Sequence, residues 1–408
     1  MMDFIYANWP VLLTILVVFG ALQGTCGFLV YVERKVCAYM QDRIGPNRVG
    51  PFGLLQVLAD GLKFLLKEDI IPANVDKVLF ILAPCIAITT AMLAFAVVPF
   101  GAAEMPPQSP LPLNSLATPA EVDAYKSDLA TYDSQMATYK DRYQFMIAKN
   151  VDIGILFIFA ISSLAVYGII LGGWSANNKY SILGGLRSSA QIISYEIPLG
   201  LSILGIVMMT GSLNLEWIIG AQAKTGVWNI VYQPLAFVLF MTSAFAECNR
   251  LPFDLPECEQ ELVGGYHTEY NAMKLALFFL GEYCHMITTS FLMVILFFGG
   301  WHIPYLVTPE SGWLIKLIVF AAKVTFFILF YMAIRWTLPR FRFDQLMGLA
   351  WKVMIPLALI NLVAVMVVMH LKLSPWLLLP VSLVVLVGAG TMAAAEPEYR
   401  KPSPTTTL

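Results

Sequence analysis

The residues with the most chemical potential in this chain are charged groups standing where charge is costly. Glu196 interrupts an apolar run in ISYEIPLG, next to Tyr195. Glu247 closes the run that begins near Ile230, and Glu282 sits in LGEYCH beside Tyr283 and near His285. Lys323 lies near the middle of the run Trp313–Trp336, with Lys316 seven residues earlier on the same helical face. An ionisable side chain at the centre of a membrane helix costs about 2.5–3.5 kcal/mol on insertion scales, so each needs a partner, water or a task. Opposite charges on packed helices favour one another and can relay protons through water. Groups held away from bulk water also exchange protons nearer neutrality, which suits reversible protonation. The competing structural reading is a set of buried ion pairs that only fix helix packing. Three acids, a mid-span lysine and an adjoining acidic loop favour proton traffic over that reading.

The adjoining loop is AECNRLPFDLPECEQELVGGYHTEY, Ala246 to Tyr270. It carries Glu247, Asp254, Glu257, Glu259, Glu261 and Glu269 against a single Arg250. A short connection between spans needs no such density of carboxylates, so the charge implies a role.

The elements that must position these groups are membrane helices. Of 408 residues, 58% are hydrophobic and 13% charged, and the mean hydropathy is +0.72. A soluble domain carries about twice that charged fraction. Apolar stretches of roughly 20 residues recur, which predicts an all-α polytopic membrane protein. Eight spans are expected near Trp9–Val32, Val78–Phe100, Val151–Gly173, Ala190–Thr210, Ile230–Ala246, Met273–Gly299, Trp313–Trp336 and Val353–Leu371, and a ninth at Trp376–Ala394. Pro198, Gly200 and Gly205 predict a bent or loosened helix near Glu196. The positive-inside rule sets the orientation. Arg34, Lys35, Arg43, Arg48, Lys63 and Lys67 follow the first span, and Arg335, Arg340, Arg342 and Lys352 follow the seventh. These connections, and with them the acidic loop, are expected on the cytoplasmic side, with the N-terminus outside.

Two elements outside the spans are expected. From Gly53 to Glu68 the polar residues Gln56, Asp60, Lys63 and Lys67 form one stripe on an otherwise leucine-rich helix, which predicts an interfacial amphipathic helix. A re-entrant or protein-buried helix is the alternative. On the outer side, Thr118-Pro119-Ala120-Glu121 reads as a capping box. Tyr125, Leu129, Tyr132, Met136, Tyr139 and Tyr143 follow at heptad-like spacing. A helix near Pro119–Met146 is expected, docked on its own outer face or on a neighbouring subunit, with a mobile insertion as the alternative. The chain thus divides into residues 1–100 (two spans and the interfacial helix), 101–150 (insertion), 151–371 (six-span core) and 372–408 (extra span and tail).

Other classes are disfavoured. The net charge of −2 gives no nucleic-acid signal, and six scattered cysteines without a CxxC pair argue against a disulfide framework or zinc site. No nucleotide loop, haem pair or iron–sulfur cysteine set is present, so any electron carriers belong to partner subunits. His302 and His370 are isolated, and His267 in the acidic loop could bind a partner or be solvated.

Several long strings, in order, resemble one family. They are ERK (Glu33–Lys35), RIGPNRVGPFGLLQ (Arg43–Gln56), GGWSANNKYSILGGLRSSAQIISYE (Gly172–Glu196), the acidic loop, and LPRFRFDQLM (Leu338–Met347). The chain resembles the quinone-site membrane component, called the H subunit, of bacterial respiratory complex I, NADH:quinone oxidoreductase, from roughly Tyr6 to Leu371 apart from the 101–150 insertion. The resemblance implies a multi-pass subunit of the bacterial cytoplasmic (inner) membrane, part of a proton-translocating enzyme of the respiratory chain. Its partners would be cluster-bearing hydrophilic subunits above the quinone site, neighbouring small membrane subunits, and the lipid bilayer. Quinone, such as ubiquinone, would be the substrate, while FMN and iron–sulfur clusters would sit on partner subunits. Carried over by position, Glu33, Arg34, Arg43 and Asp60 belong to the mouth of the quinone chamber. Arg250, Asp254, Glu257, Glu259 and Glu261 belong to the loop facing it, and Glu196, Glu247, Glu282 and Lys323 to the proton or coupling path. Some relatives carry an acid in the third span where this chain has Ala165. The rival readings are the membrane anchor of a proton-linked hydrogenase and a stand-alone ion transporter. The intact RIGPNRVGPFGLLQ connection favours the quinone reading over the first, and the lack of internal repeats counts against the second.

Overall fold

The computed structural model describes residues 2–99, 105–108, 110, 119–143, 146–148, 150–255 and 262–395. Its helices are α1 (Met2–Met40), α2 (Gln56–Leu66), α3 (Lys77–Leu93), α4 (Pro119–Arg142), α5 (Gly154–Ser175), α6 (Lys179–Thr210) and α7 (Leu215–Thr225). They continue with α8 (Pro234–Glu247), α9 (Ala272–Phe297), α10 (Trp313–Thr337), α11 (Phe343–His370) and α12 (Leu378–Ala395). Among the described residues seven helices are long and apolar enough to cross a membrane: α1, α3, α5, α6, α9, α10 and α11. The remaining two expected spans, α8 and α12, are shorter apolar helices. The fifth expected span starts late because Gln233 leaves helical geometry and Pro234, lacking an N–H, opens α8 as its first residue. The preceding stretch forms a single turn, Asn229–Tyr232.

Three spans run further than their apolar stretches. Helix α1 continues to Met40 and carries Glu33 and Arg34. Helix α6 begins at Lys179, capped by the Asn178 side chain, and passes through Pro198 as one element to the left-handed Gly211. At 1.5 Å per residue its 32 residues reach about 48 Å, beyond a hydrocarbon core of about 30 Å. Helix α11 starts at Phe343 and contains a π turn, Leu349–Met354.

Helix α9 is central. Two thirds of its apolar stretch (67%) is buried, against 11% for α1, whose outer face presents leucines such as Leu16 to the surroundings. Tyr195, Leu199, Ile203 and Ile206 of α6 pack with Leu235, Phe240 and Ala244 of α8 and with Ile287, Met293 and Val294 of α9. The Tyr195 hydroxyl, wholly buried, donates to the Leu346 carbonyl at 2.9 Å, so the α11 N-terminus is tied to α6. Gly184 of α6 lies against the turn Gly265–His267, and a Cβ there would stand 2.7 Å from the Gly265 Cα and the Tyr266 N. That close approach seats the second half of the acidic loop on α6.

The 41–76 connection folds around Gly53. Its φ of 82° is left-handed, and a Cβ would stand 2.2 Å from the Pro46 carbonyl oxygen, so only glycine closes this turn. Helix α2 then lies with its polar stripe toward α1: Arg34 pairs with Asp60 at 2.5 Å, and Gln56 donates to Asp60 at 3.0 Å. Leu58, Leu62 and Leu65 are exposed on the other face. The expected amphipathic helix is present, its polar stripe on α1 and its leucine face left uncovered by this chain.

The expected insertion helix spans Pro119–Arg142 and docks on its own chain through the C-terminal half of its seam. Met136 and Tyr139 are buried, whereas Leu129 is exposed. Thr118 of the expected cap lies outside the described residues. The Tyr139 hydroxyl donates to Glu216 of α7 at 2.6 Å, and the Asn214 side chain donates to Asn150 at 2.7 Å. Burial pushes the Glu216 carboxyl above its ordinary range, partly opposed by the hydrogen bonds from Tyr139 and the Asn150 backbone. Y139F, which removes a hydrogen bond to a buried carboxyl worth about 1–3 kcal/mol, should accelerate protease cleavage within residues 119–142, followed on intact membranes. Cleavage indifferent to this change would show that the contact does not hold the helix.

Candidate functional site

A cavity of about 1320 Å³ opens between α1, α2, α9 and the 248–271 connection. Its apolar lining includes Val30, Val57, Phe64, Phe279 and Leu280. Its polar lining gathers Glu33, Arg34, Arg43, Asp60 and Arg250, five of the residues singled out from the sequence. A cavity with an apolar lining and a few converging polar groups is of the kind that takes a small-molecule ligand.

Glu33 is the charged centre of this wall. Although only 6% exposed, it accepts from Arg250 at 3.3 and 3.4 Å, from the Tyr283 hydroxyl at 2.7 Å, and from Arg335. The Arg250 guanidinium also stacks over the Tyr283 ring, 4.4 Å from its centroid. Glu33 thus faces two guanidiniums, and over the whole lining five arginines (Arg34, Arg43, Arg48, Arg250 and Arg335) stand against three carboxylates (Glu33, Asp60 and Glu282), a net positive wall with N–H donors. Arg250 is taken by Glu33, 217 residues away, because α1 packs against α9 at this point. Asp254 instead stands 3.7 Å from Arg340. Glu257, Glu259 and Glu261 lie outside the described residues.

A second, smaller cavity of about 40 Å³ lies deeper. Its lining includes Ser162 of α5, Glu247 at the end of α8, and Glu282 and His285 of α9. Glu282 lines both cavities and is the wall between them. It accepts from the Tyr266 hydroxyl at 3.3 Å and is in the electrostatic reach of Arg250. Glu247 is hydrogen-bonded by Ser162 and feels the charge of Glu196, whose carboxyl is held by the neighbouring Ser163. Acids from α6, α8 and α9 are thus brought together, bridged by two serines and a space of water size. Gln191 holds the start of the loop beside them, its amide donating to the carbonyls of Ala246 at 2.8 Å and Phe253 at 2.7 Å. Burial pushes the Cys248 thiol up to about 12, so it stays a thiol here and supplies no thiolate.

Lys323 is not joined to these acids. Its ammonium donates to the carbonyls of Phe298 (2.8 Å), Gly300 (2.9 Å) and His302 (2.7 Å), just past the end of α9, and sits over the Trp228 ring. Phe298 is sixteen residues after Glu282, about 24 Å along the helix. A cation at that carbonyl-rich end is favoured by the unsatisfied helix terminus. Lys316 likewise donates to the Pro309 carbonyl at 2.6 Å. Burial, with the Lys323 ammonium beside it, holds His302 below the ordinary imidazole range, so that ring is neutral.

Several members of the site carry no assignment from the sequence: Arg335, Gln191, Ser162, Ser163 and Tyr266. The adjacent serines in the expected span Val151–Gly173 were a usable signal, whereas Arg335 looked like an ordinary topology-setting charge. Breaking a buried charge pair by removing one partner costs about 3–5 kcal/mol. E33Q should therefore lower the yield and thermal stability of the chain in membranes, since Arg250 and Arg335 lose their shared carboxylate. R335K, which keeps the charge at the more exposed partner, should lower them less. Unchanged stability in E33Q, read by thermal aggregation of detergent extracts, would contradict this arrangement.

The family model described as NADH dehydrogenase matches residues 12–366. The chain is 48% identical over 340 residues to the H subunit numbered 1 of NADH-quinone oxidoreductase from Cytophaga hutchinsonii, covering 82% of this chain and 90% of that one. It is 48% identical over 357 residues to the NADH-quinone oxidoreductase H subunit of Leptospira biflexa serovar Patoc, covering 86% and 93%. To the H subunit numbered 1 of NADH-quinone oxidoreductase from Geobacter metallireducens it is 47% identical over 348 residues, covering 85% and 93%. With a match across most of the chain and spans that bring charged side chains together around two adjoining cavities, this chain belongs to the NADH dehydrogenase family typified by the H subunit of NADH-quinone oxidoreductase.

Proposed function

We propose that this chain is the membrane subunit of a proton-translocating NADH:quinone oxidoreductase, in which it forms the quinone chamber and the first part of the path by which quinone reduction is coupled to proton movement. The observation that carries the reading is the position of Glu282 in the walls of both cavities. One group is thereby exposed to the charge of a bound headgroup and to the water-sized space leading to Glu247. FMN and iron–sulfur clusters belong to partner subunits that dock over the mouth formed by Arg34, Arg43, Asp60 and the acidic loop. That face is the cytoplasmic one, because the basic residues Arg34, Lys35, Arg43, Arg48, Arg335 and Arg340 gather there. The α4–α7 face is then the outer one.

The headgroup oxygens meet the net positive wall around Glu33, Arg250 and Arg335, where N–H and O–H donors favour the negative charge that reduction places on them. Reduction to quinol consumes two protons. The change of charge at the headgroup shifts the balance between Arg250 and its two carboxylate neighbours, Glu33 and Glu282. A proton change at Glu282 is then answered at Glu247, and through Ser162 and Ser163 at Glu196. Lys323 is outside this sequence; it holds the end of α9.

The test is E247Q in the assembled complex. NADH oxidation by a hydrophilic artificial acceptor and assembly on native gels should stay at the unmodified level. NADH:quinone turnover and protons moved per electron pair should both fall several-fold. Full turnover with full proton stoichiometry in E247Q would overturn the path.

A further inference from the structure

We propose that His285 is a proton-relay group in the small cavity, passing protons between Glu282 and Glu247; the inference rests on the coupling path proposed above and adds a member to it. His285 follows Glu282 by three residues on α9, so the two side chains lie on neighbouring positions of one face. Both line the small cavity, and Glu247 lines it from α8. The space of about 40 Å³ has room for one to about three waters.

The imidazole has no hydrogen-bond partner among the described residues; the residue is tied only through its backbone carbonyl, which accepts from the Thr289 hydroxyl at 3.0 Å. The half-buried imidazole faces the cavity with no partner for its nitrogens among these residues, so they call for water. The groups facing it are few. Helix α3 presents Ala87, α5 presents Ser162, Ala165 and Ile169, and α6 presents Ile192. The 248–271 connection contributes Cys248, Asn249 and Tyr266, and the titratable acids are Glu247 and Glu282. Arg250 is in electrostatic reach of Glu282.

A neutral imidazole has a donor on one nitrogen and an acceptor on the other. It can accept a proton from water beside Glu282 at one nitrogen and release the proton on the other to water beside Glu247. One proton enters and one leaves, no electrons move, and the ring ends as the opposite tautomer, reset by a ring flip or by passage in reverse. Neither serine nor tyrosine in the cavity can be protonated and deprotonated this way near neutral pH.

The test compares H285N with H285E in the assembled complex in inverted membrane vesicles. All rates are divided by NADH oxidation with a hydrophilic artificial acceptor, so that lost assembly does not count as lost relay. Asparagine keeps a polar side chain but cannot carry a proton; glutamate can. The relay predicts that H285N lowers NADH:quinone turnover and protons per electron pair at least threefold, while H285E keeps more than half of both. A purely structural histidine predicts the reverse order, since asparagine adds no charge, and that order overturns the proposal. If H285N does not assemble, H285Q takes its place under the same ordering. E247Q is measured alongside. E247Q impaired with H285N unimpaired overturns the histidine relay alone, whereas both unimpaired overturns the whole path and the relay with it.

Discussion

The structure depends on how a carboxylate is kept charged inside a helical membrane protein. Glu33 survives burial because two guanidiniums and a phenol are brought to it from the 248–271 connection, α10 and α9. Each partner lies far away in sequence, so the cluster can form only after α1, α9 and α10 have packed. Once formed, it crosslinks them. This explains how a cavity of about 1320 Å³ can persist beside the bundle core. Apolar side chains at the same positions would draw the helices together, whereas an ionic cluster whose carboxylate is partnered on three sides holds them at fixed separation.

Helix α9 divides labour among adjacent residues. Tyr283 turns to Glu33, His285 to the small cavity, and Glu282 stands in the wall between. Successive helical positions differ by about 100°, so a run of polar residues in one span serves several neighbours at once. Helix α9 is also the most buried of the seven long spans. The opposite end of α9 is fixed by Lys323 on three carbonyls.

Much of the fold was legible in the chain. The apolar runs marked the spans, because lipid leaves a helix no other way to satisfy its backbone. The single polar stripe of α2 and the heptad-like seam of α4 each produced the expected helix. Boundaries were less legible where a helix outlasts its apolar stretch. Helix α1 continues through Glu33 and Arg34 because its charged turns are solvated by the chamber and by Asp60, not by bulk water at a membrane surface.

For the site, residue type and depth alone identified Glu196, Glu247 and Glu282 as groups that need partners, since a charge in a span is expensive wherever the helix packs. Which partners they meet was decided by tertiary structure. Arg250 went to Glu33, 217 residues away, Lys323 went to backbone carbonyls, and His285 went to a cavity whose other walls come from five different elements. Helical periodicity reports which residues share a face of one helix, but not which helix that face will meet; that choice is made by the packing of all the spans together.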